Sequence, residues 1–99
     1  MRQPRDVDPR SVAEMDANWE LRRVVPPRLR RLMNERGVNR RELTAASGVS
    51  PAALSRVLSG KRAISTELLV RFCLVLDVSP AWLLGMTDWH IVPPPSRRE

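Results

Sequence analysis

The sequence predicts an all-α domain of five short helices, and three observations carry that expectation. Nine prolines stand against four glycines, with almost no β-branched runs of the kind that fill strands. Oxygen-bearing side chains that suit helix N-caps recur along the chain, three times followed by proline at the first helical position. Between these starts, apolar residues recur at i, i+3 and i+4 rather than alternately.

Residues 1–8 carry no periodic pattern and read as disordered. Asp8 and Pro9 can open a helix reaching about Val25, with Val12, Met15 and Trp19 on one face. A packing or dimer stripe and a loosely ordered arm both fit that face. Pro26-Pro27 is expected to end the segment, because proline disfavours helix at the residue before it. A second helix then runs from about Pro27 to Arg36, with Leu29, Leu32 and Met33 inward and Gly37 as its C-cap. Asn39, with Glu42 three residues on, has the spacing of a capping box and starts a short helix over 40–47. Ser50-Pro51 starts the next, 51–59, which turns Leu54, Val57 and Leu58 inward and stops at Gly60. Ser65 caps a helix with Leu68, Leu69, Phe72, Cys73 and Leu76 on a broad apolar face. Ser79-Pro80 begins the last, holding Trp82, Leu83 and Leu84 before Gly85. "MTDWHIV" reads as a short extended piece ahead of a proline run.

The chain has 99 residues, 42% hydrophobic and 28% charged, which suits one soluble globular domain with extensions. No apolar stretch has the length of a membrane span, and the N-terminal charges lack the apolar core of a signal peptide. Cys73 is the one cysteine, so no internal disulfide is expected, and a cytoplasmic protein is the plain reading. The net charge is +6, and its distribution is more telling than its size. Residues 1–25 balance to zero and residues 63–99 to −1. Residues 26–62 carry Arg28, Arg30, Arg31, Arg36, Arg40, Arg41, Arg56, Lys61 and Arg62 against Glu35 and Glu42, an excess of +7. Such a localised field attracts polyanions, of which nucleic acid is the commonest. The sixteen arginines to one lysine also show a compositional bias, which leaves solvated surface arginine as the plainer reading of some of them.

The helices over 40–47 and 51–59 are joined by a turn at Gly48, where glycine accepts the positive φ a helix-turn-helix needs. Val49 can fill the angle between them. With these residues in place, the stretch from "RLRRLMNERGVNRRELTAASGVSPAALSRVLSGKR" through "STELLVRFCLVLDVSPAWLLG" resembles the phage-repressor, or Cro/XRE-type, helix-turn-helix family. The resemblance covers residues 28–85, about three-fifths of the chain, and keeps all five helices in register. It implies a compact lambda-repressor-like domain over residues 26–85, between an extension at 1–25 and a tail at 86–99. It further implies sequence-specific binding of double-stranded DNA, as a homodimer on a palindromic operator, with repression the usual outcome.

The resemblance also distributes roles. The helix over 51–59 projects into a major groove with its first residues at base edges. With Leu54, Val57 and Leu58 inward, Pro51, Ala52, Ser55 and Arg56 share the exposed face. Arg56 is the only long donor among them and can fork onto guanine O6 and N7; a phosphate contact is its alternative. Ser55 can bond a base or a phosphate, while Pro51 and Ala52 offer apolar contact to a thymine methyl. Glutamine, common in the family at the positions of Arg40 and Pro51, is absent from both. Phosphate contacts are expected from Asn39, Arg40, Ser50, Ser59, Lys61 and Arg62, with Arg41 second to these. Arg28, Arg30 and Arg31 are expected to form a solvated face. Many relatives pair an arginine and a glutamate at the positions of Met33 and Leu58. Both have become apolar together, so Met33 is expected to pack on Leu58, since losing one partner alone strands a charge. Thr44 stands where alanine is usual, its hydroxyl free to bond a carbonyl one turn back.

Catalysis, metal and cofactors find no support: His90 stands alone and Cys73 has apolar neighbours. The alternative function is an antitoxin-like or adaptor role, holding a protein partner through the N-terminal helix or the tail, near Trp19 or Trp89.

Overall fold

The computed structural model describes residues 16–88. Five helices make the fold: α1 (Ala17–Arg36), α2 (Arg40–Ser47), α3 (Pro51–Leu58), α4 (Thr66–Leu76) and α5 (Pro80–Leu83). Among the described residues there is no strand, and the all-α, five-helix expectation holds. α1 is the central post, packing against α3, α4 and α5, while α2 packs against α3 and α4.

The start signals act as their chemistry demands. Asn39 Oδ1 accepts from the Glu42 amide at 2.8 Å, and the Glu42 carboxylate accepts from the Asn39 amide at 2.9 Å, closing the capping box. The side chains of Ser50, Ser65 and Ser79 each accept from an amide in the first turn of the helix they begin. The core is one cluster built from Val25, Leu29 and Leu32 of α1, Leu43 of α2, Leu54 and Val57 of α3, Phe72 and Leu76 of α4, and Trp82 and Leu83 of α5. Each such side chain contributes about 1.5–3 kcal/mol by leaving water.

Pro26-Pro27 does not end a helix; α1 runs through both prolines for 20 residues, about 30 Å. Its N-cap is Asp16, whose carboxylate accepts from the Trp19 amide at 3.1 Å. The expected start at Asp8-Pro9 lies outside the described residues. Two prolines inside a helix remove the amides that would bond the carbonyls of Arg22 and Arg23. Packing outweighs that loss: Val25 and Pro26 are buried, Leu21 lies against the core, and other elements hold both faces of the segment. Val24 abuts Gly85 so closely that a Cβ there would fall 2.5 Å from Val24 Cγ1. Gly60 approaches the other side, where a Cβ would meet the Arg22 carbonyl oxygen at 3.0 Å.

Arg28 does not lie on the solvated face expected of it, and Arg30, though exposed, is tied to a neighbouring helix. Arg28 Nη1 donates to the carbonyls of Trp82 at 2.7 Å and Thr87 at 3.0 Å, and its guanidinium lies 4.9 Å from the Trp82 ring. Arg30 Nη2 donates to the Leu58 carbonyl at 2.6 Å. Arg31 is exposed as expected, paired with Glu35 at 3.0 Å. Three further arginines act in the same way as the first two. Arg22 Nε reaches the Gly60 carbonyl at 2.7 Å, Arg36 holds the carbonyls of Leu76 and Asp77, and Arg71 Nη1 takes that of Ser47 at 2.9 Å. Helix C-termini leave carbonyls without intrahelical donors. Here an arginine from a neighbouring element satisfies at least one near the end of each of α2, α3, α4 and α5.

Candidate nucleic-acid interface

α2, the turn at 48–50 and α3 form a helix-turn-helix. Gly48 takes φ +75 and ends α2; the Arg71 guanidinium packs beside it, 3.1 Å from where a Cβ would stand. Val49 is buried in the angle. Beneath it, Ser47 Oγ donates to the Leu43 carbonyl at 2.6 Å and accepts from the Val49 amide at 3.3 Å. Thr44 Oγ1 donates to the Arg41 carbonyl at 2.9 Å, the one-turn-back bond its hydroxyl suggested. α3 buries Leu54, Val57 and Leu58 and leaves Pro51, Ala52, Ser55 and Arg56 exposed. A concavity of about 450 Å³ opens between α2 and α3, lined by Arg40, Arg41, Thr44, Pro51, Leu54 and Ser55.

The Arg56 carbonyl organises the loop after α3. It accepts from Ser59 Oγ at 3.1 Å, the Lys61 amide at 3.0 Å and the Arg62 amide at 3.3 Å. The backbone of the 59–62 loop is thereby fixed relative to Arg56. Ser59 has no donor left over, since its amide bonds the Ser55 carbonyl as well. Asn39 keeps only its side-chain NH₂, because its amide and Oδ1 close the capping box. Ser50 Oγ accepts from the Ala53 amide at 3.1 Å and retains its proton to donate.

The cations divide into two sets. Arg22, Arg23, Arg28, Arg30, Arg31, Arg36 and Arg71 each bond a carbonyl or a carboxylate. Arg40, Arg41, Arg56, Lys61 and Arg62 have no side-chain hydrogen bond or ion pair with any described residue. All five of these are exposed and sit on α2, α3 or the loop after it. The excess charge in the sequence thus separates into cations that hold the fold and cations left to solvent on one motif. Met33 and Leu58 are both buried in the core.

Cys73 is buried, and the apolar surroundings push its thiol up to about 11, which keeps it unreactive. Trp19 is 53% exposed, with the Arg23 guanidinium 5.6 Å from its ring. Trp89 and His90 lie outside the described residues. Among the described residues, no cluster of side chains could hold a metal, and no helix is long and apolar enough to cross a membrane. Sequence reasoning did not distinguish the tethered arginines, because nothing local marks them.

These features define a helix-turn-helix protein of the Cro/C1 type. The helix-turn-helix family model matches residues 29–83, and the chain belongs to that family. It is 32% identical over 60 residues to YddM of Escherichia coli (strain K12), an uncharacterized HTH-type transcriptional regulator. That match covers 60% of this chain and 64% of YddM. Among solved structures it is similar to the clp gene regulator ClgR from Corynebacterium glutamicum, at 39% identity and a TM-score of 0.61. The match covers 67% of this chain and 70% of that one; a second ClgR structure gives a TM-score of 0.60 over 86% of its chain.

Proposed function

We propose that the protein is a transcriptional regulator that binds double-stranded DNA sequence-specifically, represses, and sits as a homodimer on a palindromic operator. The observation that supports this most is the cation division. Among the described residues, the five cations without a side-chain partner all lie on the helix-turn-helix and the loop after it, where a DNA backbone and its bases would meet them. Arg56 and Ser55 read bases, and Pro51 and Ala52 offer apolar contact. Arg40, Lys61 and Arg62 grip phosphates, with Arg41, Ser50 and the Asn39 amide group beside them. Ser59 shapes the loop rather than donating to an anion.

A dimer is expected from the small reading surface, since one half-site gives modest specificity. Its contact is proposed in the C-terminal half, where Val70, Leu74 and Met86 are exposed apolar side chains for a second copy to cover. The regulator works in the cytoplasm, on the nucleoid. Selection of bound duplexes from a random pool tests the reading. An enriched palindrome with guanine opposite Arg56 is expected, and no enrichment over input would refute sequence-specific binding. Trp19, exposed on α1, favours a second reading as an adaptor for a protein partner. A pull-down with the full chain, and with Trp19→Ala, tests that role.

A further inference from the structure

We propose that Arg22 is a sixth DNA-contacting cation, a phosphate ligand that the first half of α1 delivers to the loop after the recognition helix. The inference rests on the DNA-binding reading above, and it concerns a residue upstream of the segment the family model matches, 29–83.

Arg22 is fastened to the loop by one hydrogen bond and packs closely against it. Its Nε donates to the Gly60 carbonyl at 2.7 Å. Its own carbonyl, deprived of a helical donor by Pro26, lies 3.0 Å from the point where a Cβ on Gly60 would stand. A Cβ there would be tightly crowded, and the loop takes φ +76, a conformation that favours glycine. The guanidinium is therefore held beside Gly60, immediately before Lys61 and Arg62. It is exposed, and its two terminal nitrogens have no bond to any described residue. The nearest acid in its helical turn does not neutralise it, because both Glu20 oxygens are taken by Arg23 at 3.2 and 3.0 Å. An open cleft of about 200 Å³ remains between the elements, bounded by Trp19, Arg22, Arg23, Ser59 and Gly60. A phosphodiester oxygen there would meet a guanidinium already oriented by its Nε bond, so less side-chain entropy is lost on binding.

The test is the salt dependence of binding to a fluorescent duplex of mixed sequence, for the full chain and for R22Q, R22K and R40Q, with thermal melting of each. Each phosphate contact contributes about 0.9 to the slope of log K against log salt. R22Q keeps an N–H for Gly60 but loses the charge, and is expected to flatten the slope by about that amount while melting near the parent. R22K is expected to keep the parent slope. A parent protein that fails to bind overturns the DNA-binding reading and this one together. An unchanged slope in R22Q beside a flattened one in R40Q overturns the role of Arg22 alone. A flattened slope in R22K beside the parent slope in R22Q shows that Arg22 only holds the loop, which also overturns it.

Discussion

Arg30 Nη2 donates to the carbonyl oxygen of Leu58 at 2.6 Å, tying the middle of α1 to the last residue of α3. A charged donor on a helix-terminal carbonyl is among the stronger hydrogen bonds in a protein. Arg30→Ala is expected to lower stability by about 1–3 kcal/mol. Arg31→Ala, which removes only an exposed i,i+4 pair with Glu35, is expected to change it by less than about 0.5 kcal/mol. Urea unfolding of the two variants side by side measures the contrast, and equal effects would remove Arg30 from its clamping role.

Met33, one turn along from Arg30, shares the core with the Leu58 side chain. If the two touch, a double-mutant cycle through Met33→Ala and Leu58→Ala gives a coupling of about 0.5 kcal/mol or more. Strict additivity would separate them.

Arg56→Ala is expected to cost about 1–3 kcal/mol of binding and to relax preference at one base pair per half-site. Binding assays on a set of single-substitution operators distinguish this from a phosphate clamp, which would weaken all of them alike.

Arg40→Ala is expected to weaken binding to every duplex and to reduce the salt slope by about 0.9. Titrations at several salt concentrations report it. A preserved slope would place Arg40 away from the backbone of the DNA.

Cys73 gives a pH prediction. Its thiol, ordinarily near 9, is pushed up to about 11 by burial. Between those values the folded chain keeps a proton that the unfolded chain releases, so stability falls as pH rises through that window. Urea midpoints at about pH 8 and about pH 10.5 should differ in that direction, and Cys73→Ala should reduce the difference. A disulfide reagent should label the folded protein slowly at about pH 8.

The starts of α2, α3, α4 and α5, the apolar faces and the helix-turn-helix were legible because each is written within a few residues. A serine or asparagine oxygen, a proline next to it and an i, i+3, i+4 stripe act on their own turn of backbone. The exposed face of α3 followed from the same periodicity. The arginines were not legible. Arg30 and Leu58 are 28 residues apart, and Arg28 and Trp82 are 54 apart. In the sequence an arginine that will hold a carbonyl looks the same as one that will face solvent.

By itself, then, the sequence determined α2 to α5, the inward faces and the motif that presents Arg56, since these depend on local propensity and on which side chains avoid water. Only the tertiary structure decided that α1 passes through Pro26-Pro27, because the contacts that outweigh two missing amide bonds come from Gly60, Gly85 and the core. It also decided which cations remain free. A guanidinium binds whichever carbonyl or carboxylate the packed chain brings within reach, and the cations on α2, α3 and the 59–62 loop found none.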